Sequence, residues 1–127
     1  MNRVLVDTSV WVAHFRRANP RLATLLAMDQ VVCHPQIIIE LACGTPPTPR
    51  ARTLGNLGLL RQVIVATPEE TLGLIEKERL HGRGCGAIDM TLLASARLTP
   101  GTALWSLDKN LAALAQRLGV AFSDPVH

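Results

Sequence analysis

Asp7, Glu40, Asp89 and Asp108 each follow, or lie within, a strongly apolar run. Val4-Leu5-Val6 precedes Asp7, Ile37-Ile38-Ile39 precedes Glu40, Ala87-Ile88 precedes Asp89, and Leu104-Trp105-Ser106-Leu107 precedes Asp108. Ionised carboxylates are rarely buried unless paired or bound to a metal. One acid so placed is an accident; four in a small chain point to one acidic pocket assembled from distant segments. A bare cluster of that kind repels itself and suits a hard divalent cation with oxygen ligands. The chemistry such a centre supports is metal-assisted hydrolysis.

Each acid also has an ordinary role open to it. Asp7 can cap a helix, although Thr8 and Ser9 already serve that end. Asp108 is a good N-cap in its own right, and Asp89 sits in a first helical turn, where the macrodipole favours an anion. Glu40 is the hardest to explain away, because its helix is apolar nearly all round; the alternative is an exposed residue on a narrow polar stripe. Ser106 and Ser9 are candidates to hydrogen-bond a metal-bound water, or simple cap and turn residues. Arg79, Arg83 and Lys109 are candidate nucleic-acid contacts, with a solvated charge as the default. Glu69, Glu70, Glu76 and Glu78 read as helix-surface charges, and Asp124 as a solvated acid of the tail. The Gly82–Gly86 stretch lacks the phosphate-binding GxxxxGK[ST] pattern and reads as a mobile loop near the pocket.

The elements that must position these acids alternate. Short apolar strands are predicted at Val4–Val6, Val31–Cys33, Val63–Val65, Thr102–Trp105 and Val120–Phe122. Helices are predicted from Thr8 or Ser9 through Phe15, from Pro20 to about Met28, and from Pro35 through Leu41 with Gly44 as the stop. Further helices follow from about Arg50 to Leu60, from Pro68 to about His81, from Ala87 to Ala96 and from Asp108 to Leu118. Asn19-Pro20 and Thr67-Pro68-Glu69-Glu70 are strong starts, each a capping side chain followed by proline in the first turn. Strands apolar throughout, alternating with helices, imply a parallel sheet covered on both sides. Sites in such sheets lie beyond the carboxyl ends of the strands. Asp7 and Asp108 fall there, and helices can bring Glu40 and Asp89 to the same edge.

Composition narrows the partners. A chain of 127 residues, 48% hydrophobic and 18% charged, is most simply one domain spanning 1–127 with a real core. Aromatics make up 3%, which argues against a base-stacking platform. The formal charge is +3, from 13 basic and 10 acidic residues, and the only lysines are Lys77 and Lys109. An acidic hole in an Arg-rich basic surface fits a metal enzyme acting on a polyanion, although a codon-level preference for Arg would give the same count. No stretch is long enough to cross a bilayer and the start is too short and too soon acidic for a signal peptide, so the cytoplasm is the expected location. Cys33, Cys43 and Cys85 have no zinc-knuckle spacing and read as reduced thiols, mostly core fillers. His14, His34, His81 and His127 are scattered, and a catalytic histidine has no support.

Four segments together are familiar: Val6-Asp7-Thr8-Ser9-Val10-Trp11, Glu40-Leu41-Ala42-Cys43-Gly44, Ala87 through Ala96, and Leu104-Trp105-Ser106-Leu107-Asp108-Lys109-Asn110-Leu111. In combination they resemble the PIN-domain ribonucleases, and within these the VapC-type toxins of bacterial toxin–antitoxin pairs, over essentially the whole chain. The resemblance implies an α/β fold, a three-layer α/β/α sandwich with a central parallel sheet of four to five strands. It implies that Asp7, Glu40, Asp89 and Asp108 surround Mg²⁺ or Mn²⁺, with Asp7, Asp89 and Asp108 as metal ligands and Ser106 supporting the site. It further implies RNA as substrate, a VapB-like antitoxin as partner, and a homodimer. Two departures stand out: Leu107 replaces a basic residue common in relatives, and Asn110 stands where some carry a further acid. Three alternatives remain open, of which small-molecule phosphatase activity would leave the basic surface idle. A catalytically inactive module of the same fold would bind RNA or protein without the acids, and a phosphotransfer receiver domain would need an Asp after the third strand, where this chain has Glu69 and Glu70.

Overall fold

The computed structural model describes residues 2–123; Asp124 and His127 lie outside the described residues. Four strands form the sheet: β1 (Arg3–Val6), β2 (Val31–Cys33), β3 (Arg61–Gln62) and β4 (Thr102–Trp105). All pairings are parallel, in the order β3-β2-β1-β4. Val120–Phe122 joins beside β4 only as a bridge between Leu104 and Ala121. The order excludes the receiver topology, in which the second strand lies at the edge and the third beside the first.

Seven helices connect the strands: α1 (Thr8–Arg16), α2 (Pro20–Ala27), α3 (Pro35–Cys43), α4 (Arg50–Gly58), α5 (Pro68–Glu78), α6 (Ala87–Leu98) and α7 (Lys109–Arg117). Parallel crossovers are right-handed. From β1 the chain steps one way to β2 and β3, then returns past β1 to β4. The change of direction sends α1–α4 to one face and α5–α7 to the other, giving a three-layer α/β/α sandwich. Accordingly α1 and α4 pack on α3, while α6 packs on α5, α7 and β4. The core between the layers is aliphatic, with Leu5, Val6, Leu22, Ile37, Leu80, Leu92, Leu93 and Leu111 fully buried.

Local starts follow the sequence closely. Asn19 caps α2 through the Leu22 N–H, and Thr67 and Glu70 close a reciprocal capping box on α5. His34 caps α3, its Nδ1 accepting from the Gln36 N–H at 3.0 Å. Three readings change. The third strand is not Val63–Val65 but Arg61–Gln62; past Val63 the backbone turns to side chains of α6, Ile64 N–H donating to Thr99 Oγ1 and Ala66 N–H to Ser95 Oγ. Ile64 and Val65 are consequently exposed rather than core. Helix α5 stops at Glu78, three residues early, because Arg79 adopts a left-handed conformation (φ 55°). Among the cysteines only Cys33 is buried; Cys43 is exposed and Cys85 half-buried.

His34 is 1% exposed and its Nε2 has no partner among the described residues. Burial lowers its pKa below the ordinary 6.5. The folded protein therefore holds His34 neutral where the unfolded chain takes up a proton. Stability is complete above about pH 6.5 and is lost as pH falls, by up to about 1.4 kcal/mol per pH unit for one proton. Asn in place of His34 keeps a capping oxygen and is expected to remove that component, visible as a flatter dependence of the urea midpoint between pH 5 and 7.

Candidate active site

The strand order reverses between β1 and β4, and the residues that follow their carboxyl ends lie at this switch point. Asp7 follows β1 directly. Its N–H donates to the Trp105 carbonyl at 2.9 Å, extending the β1–β4 ladder by one residue past the strand. That bond fixes Asp7 against the turn that carries Ser106 and Asp108. Asp7 is 5% exposed. Its Oδ2 accepts from Ser9 Oγ and from Ser106 Oγ, both at 2.8 Å. The two hydroxyls are themselves oriented by backbone amides of the β4–α7 turn: Leu107 N–H donates to Ser9 Oγ and Asp108 N–H to Ser106 Oγ, each at 3.0 Å. A buried carboxylate is tolerable when such donors replace lost water, each charged hydrogen bond contributing roughly 1.5–3 kcal/mol.

This overturns the reading of Thr8 and Ser9 as caps. Asp7 holds the N-cap position of α1 without a side-chain cap bond. Thr8 and Ser9 lie in the first turn and spend their hydroxyls on acids instead. Thr8 Oγ1 donates to Glu40 Oε1 at 2.6 Å, tying α1 to α3 across 32 residues of chain. Thr8 is the functional residue that sequence reasoning passed over. The available signal was a pair of hydroxyl residues directly after a strand-end acid, which serves a cap and a carboxylate equally well.

Both readings of Asp108 hold at once. Its Oδ1 accepts from the Asn110 and Leu111 N–H groups and caps α7. Its Oδ2 has no hydrogen bond among the described residues. Asp89 lies on the first turn of α6, and the Gly86 N–H reaches its carboxylate. Its pKa is nevertheless raised, by burial first, then by the charge of Asp7, and further by Asp108 and Glu40. The four acids thus share one electrostatic environment, and no basic side chain is among the groups acting on Asp89. Cys85, in the loop before α6, feels the same field. Burial, with Asp89, Asp108 and Asp7, pushes its thiol up to about 11, so it stays protonated beside the acids. The loop is held close to α7: a Cβ on Gly84 (φ 82°) would meet Asn110 Nδ2 at 2.5 Å. Among the described residues no histidine acts on Asp89; His14 Nδ1 accepts from the Asn19 N–H and His34 caps α3.

Among the described residues, no three His, Cys, Asp or Glu side chains form a ready-made metal-ligand set. The donors are nonetheless all hard oxygens, mutually repelling and without a counter-cation. That combination fits a hard divalent cation that keeps several waters and takes only one or two protein carboxylates directly. It fits a soft or tetrahedral metal poorly.

A family model for the PIN domain matches residues 4–117, a span that holds all four acids. The chain belongs to the PIN-domain family. Its membership is of the VapC type: it is 46% identical over 123 residues to Ribonuclease VapC32 of Mycobacterium tuberculosis, covering 97% of this chain and 98% of that protein, in strain CDC 1551 / Oshkosh and in strain ATCC 25618 / H37Rv alike. The crystal structure of PAE2754 from Pyrobaculum aerophilum shares the fold, with a TM-score of 0.59 at 17% identity over 92% of this chain and 89% of that one. The resemblance read from the four motifs is therefore borne out.

Two outcomes follow for this PIN domain. Ser106→Ala removes a donor from a buried carboxylate and an acceptor from the Asp108 N–H, and is expected to lower unfolding free energy by about 1–3 kcal/mol in urea titration. Asp89→Asn acts in the opposite sense. A raised carboxyl pKa means that stability is greatest below the unfolded value near 3.9 and falls as pH rises through the folded value. At pH 7 the amide is therefore expected to melt above the parent, and that gain should vanish near pH 4.

Proposed function

We propose that the chain is the toxin of a toxin–antitoxin pair, an endoribonuclease that hydrolyses RNA phosphodiester bonds with water as nucleophile and a divalent metal as cofactor. The observation that carries this reading is a buried carboxylate, Asp7, held by two hydroxyls, whose charge together with those of Asp108 and Glu40 raises the pKa of Asp89, with no basic side chain among the described residues acting on Asp89. Asp7, Asp89 and Asp108 would hold the ion, one or two of them directly and the rest through its waters, with Mg²⁺ as the ion and Mn²⁺ as substitute. When bound, it lowers the pKa of water and offsets charge building on the phosphate oxygens. Asp7 offers Oδ1 while Ser9 and Ser106 fix Oδ2, so its orientation is set before any substrate arrives. Asp108 offers Oδ2 because Oδ1 is committed to the helix. Glu40, steadied by Thr8, orients the attacking water and accepts its proton. Ser106 acts as a positioning residue through Asp7.

The partners in this reading are RNA, a VapB-like antitoxin and a second copy of the chain, in the cytoplasm. Family membership supports the first two, and a formal net charge of +3 suits a polyanion. No helix among the described residues is long and apolar enough to cross a membrane.

Hydrolysis by water leaves 5′-phosphate and 3′-hydroxyl ends. Mapping the ends of cleaved RNA checks this, and 2′,3′-cyclic phosphate would refute it. EDTA is expected to stop cleavage and excess Mg²⁺ or Mn²⁺ to restore it. Asp7→Asn should lower kcat at least 100-fold while leaving the melting transition intact. RNA binding with no cleavage under any metal would instead favour the inactive module.

A further inference from the structure

Glu40 has a second environment. It lines a cleft of about 450 Å³ between α1 and the turn after α3, within the range of pockets that hold a small ligand. Val12, Phe15, Leu41, Pro46 and Pro47 make its apolar walls, and Arg16, Gly44 and Thr45 lie around it. Among the described residues the Arg16 guanidinium and the Thr45 hydroxyl have no hydrogen-bond or ion-pair partner, and both residues are exposed. Arg50, by contrast, is engaged, its guanidinium reaching the Ala42 and Gly44 carbonyls and fixing the turn that forms one wall. Phe15 is backed by Trp11, ring centroids 5.9 Å apart, so its position is set by packing.

The cleft thus joins three features in one place: apolar walls that include an aromatic ring, a cation free among the described residues, and the acid that borders the proposed scissile position. Resting on the nuclease reading, we propose that this cleft is a nucleobase pocket, taking the unstacked base of a nucleotide adjoining the cleaved phosphodiester. The base lies against Phe15 and the prolines, Thr45 meets its polar edge, and Arg16 contacts the neighbouring phosphate. A phosphate held at the acids carries a base on either side, and α1 runs from Thr8 at the acids to Arg16 at the cleft over about 12 Å, at roughly 1.5 Å per residue. Single-stranded RNA is recognised through splayed bases stacked on aromatic side chains. The shortage of aromatics excludes an extended stacking platform and leaves room for a single slot. A charged guanidinium beside a carboxylate-bearing crevice suits a phosphodiester strand better than an apolar peptide segment.

The test uses an RNA oligonucleotide cut by the full chain, with single abasic substitutions at each position flanking the cut. One flanking abasic site is expected to raise KM roughly tenfold or more, the usual worth of a stacked base. Thr45→Trp, which fills the cleft from an exposed position, and Arg16→Glu should each weaken the intact substrate and shrink the abasic penalty. Asp7→Asn protein repeats the measurement by equilibrium binding, without cleavage. An abasic-sensitive affinity there supports the pocket even if the nuclease reading fails. Indifference of the parent to every flanking abasic site, or an undiminished penalty in both cleft variants, overturns it and leaves the cleft to a protein segment.

Discussion

The burial of one carboxylate organises this molecule. Asp7 sits at the end of a buried strand, almost without solvent, and its charge is met by two serine hydroxyls rather than by a basic side chain. An arginine there would neutralise the site and occupy it. Hydroxyls stabilise the anion while leaving its net charge available to a cation. Because each hydroxyl is aligned by an amide of the β4–α7 turn, the acid, the turn and the cap of α7 form one hydrogen-bonded unit. Residues 7 and 106 to 108, a hundred positions apart, are locked by the β1–β4 pairing.

Function and stability pull against each other at this edge. Asp89 is pressed toward its neutral form by burial and by three neighbouring acids. The protein carries that repulsion at neutral pH, and the rest of the fold offsets it with an aliphatic core and well-capped helices. The arrangement is what a cation site requires, since the repulsion that destabilises the bare cluster becomes attraction once a divalent charge enters. Cys85 belongs to the same balance, a protonated thiol held at the rim by the field that would expel its thiolate.

Glu40 both accepts from Thr8 and lines the cleft, so α1 and α3 connect the acids to that cleft. Helix α1 presents Thr8 to the acids from its first turn and Arg16 to the cleft from its last.

What the sequence determined alone was what local chemistry and periodicity dictate. Strand–helix alternation set the layered class, and Asn19-Pro20, Thr67 with Glu70, and Asp108 set helix starts through hydrogen bonds only a few residues long. Acids after apolar runs marked the four carboxylates because a charge beside an apolar run is conspicuous in any local window, although the fold buries only Asp7, leaves Glu40 and Asp89 half-buried and exposes Asp108. The tertiary structure decided what depends on partners distant in the chain. It moved β3 to Arg61–Gln62, since past Val63 the hydroxyls of Thr99 and Ser95 take the amides of Ile64 and Ala66 that a longer strand would have offered to the sheet. It turned Thr8 and Ser9 from caps into carboxylate supports, because a hydroxyl one or two residues after an acid can serve the helix end or the acid, and only the arrival of Glu40 and the β4–α7 turn selects between them.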